Sequence, residues 1–379
     1  MVKPSRGVSV VSTLETPPFH CCCALGGLLR RFLAAVLTGV VSGSLLTTVE
    51  PLVVTPPPAV ALTDSDCTPD VELDDGTQVG NDSDYVDAFA VDSDGDGTDD
   101  ECAIRFIKPG IDMEWSVPDV DSMWVLVVAG GGGGGVGGGG AGGLYEDTNF
   151  DPSLLGAVAT IHVGDGGSGS TNYLGIAVPS SYGGGTARIP SAGSDGNPSC
   201  LLSESSDTDC ETADIQVGPS VVMAGGGGGA GASGHNTGDG KGRPGGSSGG
   251  AIAFNARGND SYSGETGTGQ APLSDSGGAS YGSDGGAAVT DISLSNDSIL
   301  SAGGGGGGAT GSGGRGEIGT PSYSPIIKGG AGGAGKTSDI VAPGQNFASG
   351  GGGGAIMSLR LSTTWNRTLM EGNKGGSSS

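Results

Sequence analysis

Two short stretches carry residues in patterns that could do chemistry. In "DSDGDGTDDEC", residues 92–102, Asp92, Asp94 and Asp96 stand at positions one, three and five, Gly97 at the tight-turn position six, Thr98 at seven and Asp100 at nine. Carboxylates at alternate positions, with a backbone carbonyl from Thr98, wrap hard oxygen ligands around one calcium ion. Position twelve, where a closing carboxylate would complete the set, is Ala103. The competing reading is a solvated acidic linker. The second stretch, "GGAGGAGKTSD" at residues 329–339, places four residues between Gly330 and Gly335-Lys336-Thr337 and so has the letters of a phosphate-binding loop. Such a loop needs a helix after the Lys-Thr pair, with its N-terminus facing phosphate. Pro343-Gly344 follow too soon, so no nucleotide is expected.

Other catalytic patterns fail in the same way. "GSSGG" around Ser248 and "GASYG" around Ser280 match a nucleophile elbow only in letters, because that elbow requires a strand, a helix and a histidine partner. His162 alternates within "ATIHVG" and His235 sits in a glycine loop. Two scattered histidines make neither an acid-base pair nor a zinc site. No enzyme is expected.

The elements that must position these residues are set by composition. Of 379 residues 82 are glycine and 4% are aromatic, which leaves little for an ordinary aromatic core. A net charge of −25 repels phosphate backbones and anionic membranes, excluding nucleic acid as a partner. At the N-terminus Arg30-Arg31 precede an apolar run from Phe32 to Val49, and a proline-rich bridge leads to Ala59-Val60-Ala61. This reads as a secretion signal over residues 1–61 with cleavage after Ala61; an earlier-than-true start or an uncleaved anchor are the alternatives. No membrane span is expected beyond that leader. Cys21-Cys22-Cys23 lie ahead of the apolar run, on the wrong side for a lipoprotein cysteine.

Removing the leader leaves Cys67, Cys102, Cys200 and Cys210, an even number for an oxidising compartment. Three pairings exist. Shorter loops favour Cys67 with Cys102 and Cys200 with Cys210, against the alternative that some stay free. Sequons at Asn81, Asn259, Asn296 and Asn366 are expected by chance in a chain rich in Ser and Thr.

Residues 62–101 are acidic, with few large apolar residues, and read as a linker holding the calcium loop. Residues 102–135 then alternate apolar and polar types, predicting strands near 102–108, 112–117 and 122–129. Runs of five or six glycines follow β-type segments at Gly130, Gly225, Gly303 and Gly350, with uneven spacing. Glycine chains adopt an extended helix of three residues per turn and about 3.1 Å rise, with every N–H and C=O pointing outward. The runs are therefore expected to pack as parallel and antiparallel polyglycine II-type rods on a β-sandwich, rather than to act as flexible linkers. The fold class is mainly β, and the glycine-rich β domain covers 102–361, followed by a polar tail at 362–379.

The aspartate spacing of residues 92–102 resembles thrombospondin type 3 and EF-hand-like loops, including the nearby cysteine. On a larger scale "WSVP", "WVLVVAGGGGGG", "ATIHVGDGGSG", "GGGTARI" and "GGGGGAIMSLRL" resemble the glycine-rich domain of bacterial surface proteins and phage tail-fibre tips. The same signature covers the glycine-rich ectodomain of the anaplastic lymphoma kinase and leukocyte tyrosine kinase receptors. The resemblance runs from about Cys102 to Leu361. It implies a tumour-necrosis-factor-like β-sandwich fused to packed glycine helices, used for structure or ligand recognition. The expected function is a secreted or cell-surface, non-catalytic structural or adhesive protein whose partner is a surface glycan, a protein ligand or another copy of itself. The alternative is a ligand-recognising ectodomain or receptor-binding adhesin, with specificity in loops such as "NTGDGKGRPGGSS" and the Cys200–Cys210 hairpin.

Overall fold

A computed structural model describes residues 9–15, 61–81, 83–92, 97–170, 173–177, 186–190, 192–203, 210, 221–223, 225–229, 242–251, 278–293, 298–319, 326–340, 344–361 and 364–370. The fold is mainly β, and its sheets are antiparallel. Among the described residues there is no α-helix, only two short 3-10 turns at Asp64–Asp66 and Pro152–Leu154.

Two six-stranded sheets form the larger part. Strands are numbered along the chain. The first sheet runs in the order β14 (Ala279–Tyr281), β8 (Leu144–Phe150), β7 (Met123–Val128), β1 (Ser9–Glu15), β5 (Glu101–Phe106), β4 (Val86–Val91). The second runs β13 (Val221–Met223), β12 (Ser199–Ser203), β9 (Val158–His162), β6 (Asp112–Ser116), β2 (Val71–Leu73), β3 (Gln78–Val79). A four-stranded sheet joins β15 (Val289–Ser293), β16 (Ser298–Ala302), β21 (Ala355–Leu361) and β22 (Thr364–Met370). Three hairpin pairs complete the set: β10 (Tyr173–Ala177) with β11 (Thr186–Pro190), β17 (Glu317–Gly319) with β18 (Ile326–Lys328), and β19 (Lys336–Ser338) with β20 (Gln345–Phe347).

The alternation read from residues 102–129 is realised as β5, β6 and β7. In β6, Met113 and Trp115 are buried while Asp112, Glu114 and Ser116 face water, the period-two pattern of a half-buried strand. β7 breaks that pattern because both its faces are covered. Val125 and Val127 join the main core, whereas Leu126 and Val128 pack with Leu144, Ala309, Ile340 and Phe347. The main core draws Ile104, Phe106 and Tyr145 from the first sheet and Met113, Trp115, Ile161 and Leu201 from the second. Phe106 and Trp115 meet edge to face across it, with ring centroids 5.9 Å apart.

Residues 62–101 differ from the expected linker. They supply β2, β3 and β4, and Cys67, Val71, Val79, Val86 and Ala88 are buried in the main core. Their buried positions hold Val, Ala and Cys, with Leu62, Leu73 and Tyr85 packed at the margin, so low hydropathy hid an alternation that a disulfide reinforces. Asn81 binds this segment together: its Nδ2 donates to the Ala88 carbonyl at 2.8 Å and the Cys67 carbonyl at 3.3 Å, and its Oδ1 accepts from the Ala88 amide at 2.6 Å. The Asn81 sequon thus holds an asparagine with structural bonds, and a glycan on Nδ2 would replace one of the two donated hydrogens. Asn81→Ala is expected to lower stability by about 2 kcal/mol, because half-buried backbone groups lose their partners; urea unfolding measures this directly.

The glycine runs are hydrogen-bonded to one another, and the bonds recur at every third residue. The amides of Gly138 and Ala141 donate to the carbonyls of Gly304 and Gly307, Gly330 and Gly333 to Gly303 and Gly306, and Gly350 and Gly353 to Gly333 and Gly330. The run Gly303–Gly308 sits at the centre. Gly303 and Gly306 bond to segments 351–354 and 330–333, Gly304 and Gly307 to 248–251 and 138–141, and Gly305 and Gly308 to 311–314 and Gly286. Each ordered glycine costs roughly 0.5–1 kcal/mol more than alanine in chain entropy. A net gain of about 0.5–1.5 kcal/mol per backbone hydrogen bond offsets it.

More of the chain joins this lattice than the four pure runs. Segments 164–170, 193–197, 243–251, 284–287, 311–316 and 329–335 take part, although Ser, Ala and Asp interrupt their glycines. For an exposed rod the three-residue period gives the reason, since glycine is needed only at positions that face neighbours; in 243–251, by contrast, Ser247, Ser248 and Ala251 are buried. In 329–335 the alanines fall three apart, and Ala331 and Ala334 are both exposed, while Gly330 and Gly333 are buried.

Candidate functional site

The loop between β4 and β5 is the expected calcium site. Its two ends are tied by the Asp100 amide donating to the Val91 carbonyl at 3.1 Å, which closes the hairpin. Gly97 has φ of +89°, a left-handed conformation that glycine adopts without the penalty a Cβ would bring, as the tight-turn position requires. Its amide donates to Asp92 Oδ2 at 2.8 Å, so position one of the motif already folds over position six. Asp100 Oδ1 is buried with no hydrogen-bond partner among the described residues. A buried carboxylate oxygen in that state favours a cation nearby. Asp94 and Asp96 lie outside the described residues, and Thr98 is half-buried. Among the described residues no three His, Cys, Asp or Glu side chains gather as a metal cluster.

Around the loop the scaffold is covalent and polar. Cys67 and Cys102 form one disulfide and Cys200 and Cys210 the other, the pairing that the shorter loops favoured. These bonds belong to an oxidising, extracellular type of environment. Cys21, Cys22 and Cys23 lie outside the described residues. Next to Cys67, hydrogen bonds from the Thr63 hydroxyl and then the Thr63 amide hold the Asp66 carboxyl below its ordinary range. Asp64 Oδ1 accepts from the Ala90 amide at 2.9 Å, fastening this turn to β4. Among the described residues no helix is long and apolar enough to cross a membrane.

The phosphate-loop letters have a different use. Lys336-Thr337-Ser338 is strand β19, not the start of a helix. The Lys336 ammonium lies 2.9 Å from Glu146 Oε2 and 5.5 Å from the centre of the Tyr281 ring, and Ser338 Oγ donates to Glu146 Oε1 at 2.6 Å. The lysine is thereby engaged with a carboxylate of β8, and the preceding glycines are lattice members.

The serine patterns are equally structural. Ser248 is fully buried, and its hydroxyl accepts from the Gly285 amide at 2.6 Å. Ser280 pairs in register with Tyr145 at the sheet edge. His162 Nδ1 lies 2.6 Å from Asp112 Oδ1 across the β6–β9 pair, with the ring almost fully buried. His235 lies outside the described residues.

Ser199 carries a role that no motif marked. Its buried hydroxyl donates to the Val128 carbonyl at 2.9 Å and accepts from the Gly164 amide at 2.9 Å. One side chain thus ties β12, the exit of β7 and a glycine rod together; the only signal in the sequence is a hydroxyl directly ahead of an apolar run. Neither a protein-family model, nor a curated protein, nor a solved structure matches the chain.

Proposed function

We propose that this chain is an exported, non-catalytic surface protein in which a tumour-necrosis-factor-like β-sandwich presents a stiff bundle of polyglycine II-type helices as a structural and adhesive module. The observation that carries the reading is the three-residue recurrence of hydrogen bonds among the glycine segments. Three residues per turn is the period of that helix, and a rod with bonding groups on all sides is what lets Gly303–Gly308 reach neighbours in every direction. The common core between the two six-stranded sheets supports the sandwich. A lattice whose inner positions are mostly glycine, with a few Ser and Ala, has little freedom to deform by rotamer change, so it suits a spacer or tip that must hold shape outside the cell.

Calcium belongs to the same proposal. The carboxylates of Asp92, Asp94, Asp96 and Asp100 and the Thr98 carbonyl would hold the ion, and the turn at Gly97 and the buried Asp100 oxygen fit it. The ion would neutralise part of an acidic loop at the β4–β5 hairpin and brace the neighbouring Cys67–Cys102 bond. Isothermal titration of the full chain is expected to show one site with a dissociation constant on the order of 10⁻⁴–10⁻³ M, as for extracellular modules. Asp92→Ala should abolish the heat, and no heat at millimolar calcium would remove calcium from the proposal.

Function is tested with fluorescently labelled protein on a panel of cells and immobilised glycans, with calcium or chelator present. Saturable, selective binding is expected. Absence of binding to every surface, together with concentration-dependent self-association, would instead make the protein a matrix component whose partner is its own kind.

A further inference from the structure

We propose that the space between β5 and β7 is a strand-acceptor site, which binds in trans an extended, largely uncharged segment with two adjacent apolar residues at its middle. The proposal rests on the export reading, because cleavage after Ala61 would carry away the present occupant, Ser9–Glu15.

β1 pairs antiparallel with both neighbours, placing Val11 opposite Ile104 and Val125, and Val10 opposite Arg105 and Leu126. On one face Ile104 and Val125 are buried in the main core; on the other Leu126 is buried in the second cluster, while Arg105 is half-exposed and pairs with Asp87. By register, positions 10 and 11 of the strand thus each stand opposite at least one buried apolar residue, Leu126 for the first and Ile104 and Val125 for the second. Without an occupant, the facing edges of β5 and β7 would leave ladder amides and carbonyls open beside apolar side chains, the arrangement that captures foreign strands.

The gap cannot close easily by itself. β5 and β7 are parallel to each other, since each is antiparallel to β1, and direct pairing would require a shift of about 4.8 Å. β5 is anchored by the Cys67–Cys102 disulfide and by β4. β7 is anchored by β8 and continues into Gly130, whose amide donates to the Asn197 carbonyl at 3.0 Å.

The resident strand is also imperfect, which makes it exchangeable. Its register with β5 shifts between Ser12 and Leu14, and Glu15 stands opposite Glu101. Like charges at directly opposed positions destabilise a strand pair. The apolar export run Phe32–Val49 lies between Ser9–Glu15 and the rest of the chain, so in the exported protein the strand and its slot part company.

The test uses the full chain with a specific protease site substituted into residues 16–61. After cleavage of the folded protein, the N-terminal piece should stay with the body through gel filtration. Excess labelled peptide of residues 7–17 should displace it, and the same peptide carrying Val11→Asp should do so at least a hundredfold less well. Amide exchange at Ile104 and Val125 should rise when the piece is removed and fall when the peptide is added. Release of the piece at once, with protection at Ile104 and Val125 unchanged, would overturn the proposal, as would failure of the labelled peptide to enter. Entry of a second copy of the chain in place of the peptide, seen as a dimer after cleavage, supports the slot and identifies self-association. Cell binding is read separately, so loss of the slot and loss of the adhesive reading are distinguishable.

Discussion

Gly306→Ala is expected to destabilise the protein by about 3 kcal/mol, the upper part of the range for forcing extra methyl groups into a packed interior. A Cβ built on Gly306 would stand 2.0 Å from the Gly139 carbonyl oxygen, and the obstacle is backbone, which cannot rotate away. Relief requires moving the rod, and the rod is held: the Gly306 amide donates to Gly351 at 2.8 Å, and its carbonyl accepts from Gly333 at 2.8 Å. The same shift would disturb the bonds of Gly304 and Gly307 to segments 248–251 and 138–141. The effect should therefore exceed that of a methyl group added elsewhere. Ala331→Ser is the matched comparison, in a rod of the same lattice but at an exposed position, and should stay within about 0.5 kcal/mol. Equal, small effects for both, measured by denaturant unfolding, would mean that the glycine segments do not pack as rods.

Removing the Cys67–Cys102 disulfide by a double alanine substitution is expected to cost about 4 kcal/mol, from the entropy of closing its 35-residue loop. The loop contains β2, β3 and β4, so the loss falls on the acidic segment that has the smallest apolar residues. Val71, Val79 and Val86 would remain as its main core contacts, and the Asp92–Asp100 hairpin would lose its anchor at Cys102. Removing Cys200–Cys210, whose residues are 10 apart, should cost less, about 3 kcal/mol. Denaturant midpoints of the two variants rank the bonds. A larger loss at Cys200–Cys210 would contradict the loop-length argument and point to packing of Leu202 against that disulfide as the dominant contribution.

Amide exchange gives the complementary view. Gly303–Gly308 should be among the slowest-exchanging amides although it has no side chains, because protection follows hydrogen bonding and burial rather than hydropathy.

The sequence by itself determined the strand content of residues 102–129, because alternation such as Asp112-Met113-Glu114-Trp115-Ser116 leaves a single way to divide core from water. It also determined the two disulfides through loop length, and the inability of Gly335-Lys336-Thr337 to open a helix through the Pro343-Gly344 that follows. Runs of six glycines announced packing, since nothing but another backbone can approach them that closely. What only the tertiary structure decided was which other segments join. Ala331 and Ala334 are tolerated because their Cβ atoms face solvent, and no local pattern reveals which third of a rod will face a neighbour. The same limit hid the role of residues 62–101: valines and alanines become core residues only once β5, β6 and a disulfide surround them. Position in the sequence likewise gave no hint that Ser9–Glu15 stands between β5 and β7, because sheet order depends on long-range backbone pairing that side-chain periodicity does not encode.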